Sequence, residues 1–388
     1  MQSGGPTAVL NASLVGIIRE ARNRFGRVVG IHGGFEGLRT GRVTDISILD
    51  DDQLDRLART PSAGLSMSRL RPNEDEMLQI LQHLQDLDVS ALIGIGGNDT
   101  ADTLDRLAER AEQQGQSLQV IGLPKTIDND LAGTDHSLGF PSAARFLAAY
   151  VRDALVDARA TASQYQVKLV EVMGRNAGWL AASSALWIPD AMPAPVIALP
   201  ERPFASERGL LDLISSRVDA DGFVVVVVPE TMRWANGEHV AGSTPEWVDA
   251  FGHPYHASAG QALLKAAGQH LGLRGRVDRP GSVTRASMDL ASEIDLSEAV
   301  ECGRFAVKAL IERSSRVCVV IDRVATEPYE STLRLVSLAT IANVEHTIPD
   351  RMLEPLGQGV SAAFFDYAAP LVGSSTQSYE FIDWPNSG

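Results

Sequence analysis

The sequence is short of cysteine, of positive charge and of long apolar runs, and each shortage closes off a class of function. Cys302 and Cys318 are the two cysteines among 388 residues. They have no metal-ligand spacing and cannot form a disulfide framework, which suits a reducing cytoplasm. A formal net charge of −15 argues against a protein that coats nucleic acid, because phosphate backbones select basic surfaces. Small phosphorylated substrates stay open, since a few Arg and Lys reverse the field inside a cleft. The longest apolar stretch, GFVVVVVPE, is far too short to span a bilayer, and no charged-then-apolar leader opens the sequence. A cytosolic protein away from membranes is therefore expected. Two common nucleotide signatures are missing as well. No G-K-[ST] occurs, so there is no P-loop, and Gly94, Gly96 and Gly97 lack the last glycine of G-x-G-x-x-G.

Hydrophobic residues make up 44% and charged residues 21% of the chain, the composition of an ordinary globular protein with a length that favours two domains. Short β-branched runs alternate with longer helical ones, the signature of parallel sheets flanked by helices. Val28 to Gly33, SALIGIG, LQVIGLP, QVKLVEVMG, APVIALPE, FVVVVVPE and SRVCVVID read as strands. Glu74 to Leu87 carries apolar residues at 77, 78, 80, 81, 84 and 87, the spacing of an amphipathic helix. The opening MQSGGPTAVLNASLVGIIREARNR reads as a glycine turn entering a helix, with Pro6 near its first turn. A strand of about five residues normally precedes such a turn, yet only three residues precede Gly4. The first strand is expected to be missing from this form, or the sheet to begin without it. A form lacking it should be less stable than one extended upstream.

Ligands of open α/β sheets collect beyond the carboxyl ends of the strands, and three polar clusters stand at such places: SGGPT, GGNDT and PKTIDND. Gly pairs let backbone N–H groups approach phosphate oxygens, and a helix start adds a favourable dipole. A Gly-Gly turn alone is equally at home in a purely structural bend. PKTIDND is more specific. In an extended segment Asp128 and Asp130 fall on the same side, and two carboxylates beside a lysine and a hydroxyl divide the labour of phosphoryl transfer. One accepts a hydroxyl proton, another helps hold Mg²⁺, and the lysine neutralises charge on the moving group. A surface turn would not need Lys125 beside a strand-terminating proline. By their own chemistry Met173 reads equally as core and Glu230 as a solvated strand end. His253 and His256 of HPYH lack further ligands for a metal site.

In order along the chain, SGGPTAVLNAS, GGNDT, PKTIDNDLAGTDHSLGF, VEVMGRNAGW, VVVVVPE, PGSVTRAS and VSLATIANVEHTIP resemble the phosphofructokinase family over nearly the whole length. The resemblance implies two Rossmann-like three-layer α/β domains with mostly parallel sheets and the active site in the cleft between them. It implies ranges of 1–140 plus 285–341 for the donor-binding domain and 141–284 plus 342–388 for the sugar-phosphate domain. Asp128 matches the general base that deprotonates the 1-hydroxyl of fructose 6-phosphate. Thr126 and Asp130 match residues that position that hydroxyl and the metal–phosphate unit, and Gly5 and Arg69 fall where the donor binds. Met173, Gly174 and Arg175 match the MGR motif, whose arginine contacts the transferring phosphate. Glu230 matches the sugar-binding glutamate and Arg285 an arginine on the 6-phosphate. Arg276 lies where a second such arginine is often lent by a neighbouring subunit, so a homo-oligomer, dimer or tetramer, is expected.

Within the family, a second-motif aspartate in place of glycine and a lysine before the threonine of TIDND mark users of inorganic pyrophosphate. Asp99 and Lys125 both fit. A carboxylate at Asp99 crowds and repels a nucleotide's α-phosphate, while Lys125 compensates the dense charge of pyrophosphate. Asn98 departs from the family's acidic residue; its amide can still coordinate Mg²⁺ as a third metal residue but brings no negative charge, which leaves Asp128 and Asp130 as the main ligands. Gln166 stands where ATP-using relatives often have an arginine. The expected reaction is reversible, Mg²⁺-dependent phosphoryl transfer from pyrophosphate to fructose 6-phosphate. An ATP-dependent enzyme, a non-catalytic sugar-phosphate-binding subunit and sedoheptulose 7-phosphate as acceptor are the alternatives.

Overall fold

The structure, a computed structural model, describes residues 1–68, 70–248, 254–342, 344–354 and 359–382. The strands of its two main sheets are β1 (Ala91–Gly96), β2 (Gln119–Thr126), β3 (Leu138–Gly139), β4 (Val167–Val172), β5 (Val196–Ile197), β6 (Val224–Pro229), β7 (Gly275–Asp278), β8 (Val317–Thr326) and β9 (Tyr329–Ser337). The helices that bear on the site are α1 (Leu10–Ala21), α2 (Glu74–Asp86), α3 (Asn98–Gln113), α4 (Phe140–Thr161), α5 (Trp179–Ser183), α6 (Glu207–Asp221), α7 (Ala259–Leu271), α8 (Glu293–Ile311) and α9 (Ala362–Val372).

The chain divides into two compact units. The first holds Met1–Ala143, Thr244–Tyr255 and Ser282–Thr347, and the second holds Ala144–Ser243, His256–Gly281 and Ile348–Gly388. The expected ranges put 244–255 with the sugar-phosphate domain, whereas this stretch goes with the first unit. It contains a short antiparallel pair, Trp247–Val248 with Pro254–Tyr255, in which the Trp247 and Tyr255 rings stack with centroids 3.8 Å apart.

In the first unit the order is β9-β8-β2-β1, with β3 alongside the end of β2. β1, β3 and β8 each run parallel to β2, and β9 folds back antiparallel on β8. Side-chain alternation assigns the two faces. Ile95, Ile121, Leu123, Val319 and Ile321 pack with residues of α1 and α8. Leu92, Val120, Cys318 and Val320 point the other way, against α2 and α3. Helix α2 confirms its expected stripe, burying Met77, Ile80, Leu81 and Leu84. Asn73 opens it: its side chain accepts from the Glu76 N–H while Glu76 accepts from the Asn73 N–H, a capping box.

Three expectations change here. Val29–Ile31 stays out of the main sheet and pairs antiparallel with Val43–Asp45. Met1–Ser3 does take a sheet position beside β1: the Met1 amine donates to Ile93 O, Ile95 N–H to Met1 O and Ser3 N–H to Ile95 O. Burial pushes that amine down to about 5. A cavity of about 160 Å³ adjoins Met1, lined among others by Leu14, Phe25, Ile31 and Ile93. Finally, α1 starts at Leu10 and not at Pro6, because the Thr7 carbonyl is taken by the Ser62 N–H.

In the second unit the sheet is wholly parallel, in the order β7-β4-β6-β5. Every residue of β6 is buried, as a strand covered on both faces requires. Val224, Val226 and Val228 pack with α6 and α7. Ser206 caps α6, and Gly222, at φ 78°, ends it. Trp179 of α5 is fully buried with its ring centroid 5.1 Å from that of Tyr367 on α9.

Candidate functional site

In the first unit, β2 delivers the opening stretch of the site. The strand runs on through Lys125 and Thr126 because β3 pairs with both, Lys125 with Leu138 and Thr126 with Gly139. Lys125 is only 4% exposed, and its Nζ donates to the Gly5 carbonyl at 2.7 Å. Gly4 has φ +82°, and a Cβ there would lie 3.0 Å from Lys125 Nζ; a Cβ on Gly5 would lie 3.0 Å from Arg285 Nη1. Two cations thus flank one bare glycine turn, an arrangement suited to a phosphate. The second glycine pair leans on the same lysine, since a Cβ on Gly97 would lie 3.4 Å from Lys125 O. Gly97 is the N-cap of α3, with Asp99 in its first turn. Asp99 is exposed, and Asn98 donates its amide N–H to Val344 O at 3.1 Å.

Gly4→Ala should therefore cost about 1–2 kcal/mol from the left-handed backbone alone, and it also displaces the Lys125 ammonium. Denaturant unfolding reads the first effect, and a raised KM for the phosphoryl donor reads the second.

The stretch after Thr126 is not extended as expected. Asn129 is 1% exposed and sits at φ 56°, in the left-handed region that Asn tolerates. Its Oδ1 accepts from Ser137 N–H at 2.9 Å, and the Thr126 hydroxyl accepts from Asp128 N–H at 3.1 Å. The two carboxylates still act on each other through their charges. Burial first, then the Asp128 charge and more weakly Glu345, push the Asp130 carboxyl up to about 7, against hydrogen bonds from its own N–H and from Thr126. Like charges held this close suit a hard divalent cation, which takes one or two carboxylates and completes its shell with phosphate and water. No group of three or more His, Cys, Asp or Glu poised for a metal occurs among the described residues. Mg²⁺ bound by the Asp128–Asp130 pair and substrate oxygens fits this donor set.

In the second unit, neighbouring strand ends join two motifs. Glu230, just past β6, donates its N–H to Val172 O at the end of β4, and Thr231 donates its hydroxyl to Arg175 O at 2.5 Å. Met173, Gly174, Arg175 and Glu230 thereby form one group, with Gly174 at φ +118°. His239 supports it: Nε2 donates to Glu230 O at 3.2 Å while Nδ1 accepts from Ala241 N–H. Arg276 does not join them within this unit. It lies on β7 opposite Lys168, well before Met173 along β4, exposed, with its guanidinium 4.5 Å over the Tyr165 ring. Gln166 is occupied locally, bonding Ala162 O and Arg274 N–H. Arg69 and His253 lie outside the described residues; His256 stacks on His239 at 4.1 Å.

Sequence reasoning missed a buried ionic network behind the loop. His136, with its side chain fully enclosed, places Nδ1 3.0 Å from Asp135 and Nε2 2.8 Å from Glu298 on α8. Arg323 of β8 donates to Asp135, while Tyr329 and Ser331 of β9 donate to Glu298. Asp295, also on α8, accepts from Gly139 and Ser142 at the start of α4 and is pushed up to about 6 by burial. Burial alone would lower the imidazole, but the two carboxylates outweigh it and raise His136 to about 9; both partner carboxyls are lowered in turn. A charge held this way stabilises the fold fully below the unfolded histidine value near 6.5 and ceases to as pH rises through about 9. The whole contribution is on the order of 3 kcal/mol, with roughly 1 kcal/mol of it lost between pH 8 and 10. Melting temperatures should fall across that window, and His136→Gln should flatten the slope.

The family model described as Phosphofructokinase matches residues 1–310. The chain is 36% identical over 382 residues to a pyrophosphate–fructose 6-phosphate 1-phosphotransferase of Xanthomonas campestris pv. campestris, covering 96% of this chain and 90% of that one. Its counterpart from Methylococcus capsulatus is 32% identical over 381 residues, with the same coverage. Among solved structures, the pyrophosphate-dependent phosphofructokinase from Nitrosospira multiformis superposes with a TM-score of 0.87 at 28% identity, covering 100% of this chain and 93% of that one.

Proposed function

Because the chain belongs to the phosphofructokinase family, which it matches over residues 1–310, we propose that it catalyses the reaction named for its relatives. A phosphoryl group passes reversibly from pyrophosphate to the 1-hydroxyl of fructose 6-phosphate, giving fructose 1,6-bisphosphate and phosphate. The observation that carries this reading is the Lys125 ammonium, enclosed against the Gly4–Gly5 turn with Arg285 at its other side. A fixed cation there meets the dense charge of pyrophosphate without help from a nucleotide.

In this reading Asp128 accepts the proton of the acceptor hydroxyl, and Thr126 holds Asp128 and Asp130 in place. Lys125 neutralises the donor, and Arg175 contacts the moving phosphoryl group. Mg²⁺, when bound by Asp128 and Asp130, supplies further neutralisation of phosphate charge. Met173, Gly174 and Glu230 hold the sugar, Arg285 its 6-phosphate, and Arg276 serves a neighbouring copy in a homo-oligomer. The exposed Asp99 carboxylate repels a nucleotide's additional phosphate. The protein acts in the cytoplasm and binds neither nucleic acid nor membrane; among the described residues no helix is long and apolar enough to cross a bilayer.

The test is a coupled assay with fructose 6-phosphate and Mg²⁺, comparing pyrophosphate with ATP. Turnover with pyrophosphate well above that with ATP is expected. Preference for ATP overturns the donor assignment, and no turnover with either leaves a non-catalytic sugar-phosphate-binding protein.

A further inference from the structure

We propose that His136 is a positioning residue for the loop that carries Asp128 and Asp130, acting as a buried imidazolium pinned between two elements. The inference rests on the functional reading above and extends it to a residue that touches no substrate.

The connection is short and continuous. His136 is gripped by Asp135 on its own limb and by Glu298 on α8. The next residue, Ser137, donates its N–H to the Asn129 side chain, which stands between Asp128 and Asp130 in the chain. The two residues after that, Leu138 and Gly139, pair with Lys125 and Thr126. The limb is also tied to β8: Thr134 Oγ1 accepts from Ile321 N–H, and Asp135 N–H donates to Ile321 O. A shift at His136 is thus passed to Asn129 and to the end of β2 together. Asn129 holds a left-handed backbone that depends on its side-chain bond being kept.

The charges around the imidazole explain why it must be an imidazolium. Asp135 faces it from the same limb, Glu298 and Asp295 from α8, Arg323 from β8 through Asp135, and the Tyr329 ring edge-on from β9 at 6.4 Å. The Asp135 charge also acts on His346. Protonated, His136 donates to both carboxylates. Neutral, it has one N–H, so either Asp135, left with Arg323, or Glu298, left with Tyr329 and Ser331, loses its bond to the imidazole and the grip opens. With the group held up to about 9, kcat should fall as pH rises through that region, while the KM for fructose 6-phosphate stays level.

The experiment measures kcat and both KM values from pH 6 to 10 for the unaltered protein, His136→Gln and Glu298→Gln, with melting temperatures alongside. His136→Gln should lower kcat roughly 10- to 100-fold at pH 7, with the KM for fructose 6-phosphate within about twofold, and should lack the alkaline fall. Glu298→Gln removes one of the two charges that favour the imidazolium, so its alkaline fall should move to lower pH. A folded His136→Gln with kcat within twofold of the unaltered protein overturns the proposal. If that variant does not fold, an alkaline limb that Glu298→Gln leaves unmoved overturns it instead. Lack of turnover with pyrophosphate alone is a failure of the donor assignment. The same comparisons are then made with ATP, because the loop serves the acceptor hydroxyl whichever donor is used. No turnover with either donor overturns both readings.

Discussion

Asp128→Asn should lower kcat by roughly 10²–10⁴-fold while the protein melts at the same temperature or slightly higher. The two halves of this result come from separate facts. The Asp128 backbone is placed by its N–H bond to the Thr126 hydroxyl, so an amide side chain of the same shape leaves the loop where it was. Its charge, however, is one of the causes that raise Asp130 to about 7, and removing one of two crowded like charges relieves repulsion. A structural residue would show the opposite pairing, with stability lost and activity following it down. Assays at saturating Mg²⁺ separate a lost base from weakened metal binding. Near-normal kcat at saturation removes Asp128 from the mechanism.

Lys125→Met should cost roughly 2–4 kcal/mol in kcat/KM for pyrophosphate, about 30- to 1000-fold, with much smaller change in KM for fructose 6-phosphate. Methionine keeps the apolar stem in a position that is 4% exposed and deletes the ammonium that bonds Gly5 O. The partner change is Asp99→Gly, in the exposed first turn of α3. There a carboxylate favours the helix by about 0.3–1 kcal/mol, so a small loss of stability accompanies it. Asp99→Gly alone relieves the repulsion of a nucleotide without creating a good ATP enzyme; only the double variant should give measurable ATP use. The four proteins form a cycle, read as kcat/KM for each donor. Undetectable ATP use in the double variant means that Asp99 does not set the donor.

The parallel strands were legible because their residues must satisfy two buried faces at once. FVVVVVPE and SALIGIG admit few other readings, and β6 and β1 lie within them. β9 was not read, because YESTLRLVS alternates between half-buried and exposed positions, the weaker pattern of a solvated edge. Lys125, Thr126, Asp128 and Asp130 were legible as chemistry by their crowding in one short segment. What the sequence could not convey was the turn that makes them converge, which depends on one left-handed residue, Asn129. Nor could it convey the place of Arg285 beside Gly5. The His136–Glu298 pair joins residues 162 positions apart, and no local periodicity reports such a contact. DH within TDHSLGF carries no local mark of the burial that His136 has in the fold.

The interleaving of the two units has a consequence for the order in which the chain becomes whole on the ribosome. The sheet of the second unit has its last strand once Asp278 is made. The sheet of the first unit, although begun earlier, waits for β8 to cover the open side of β2 and for β9 to close the edge at Ser337. At synthesis rates of about 5–20 residues per second, that wait lasts roughly 3–12 s beyond completion of the other sheet. For that time β2, the strand that ends in Lys125 and Thr126, has β1 and the short β3 but lacks β8 beside Ile121 and Gly122, and Glu298 has been made before its partners Tyr329 and Ser331. The sheet that starts first therefore finishes last, while the second unit, its sheet already complete, still waits for α9.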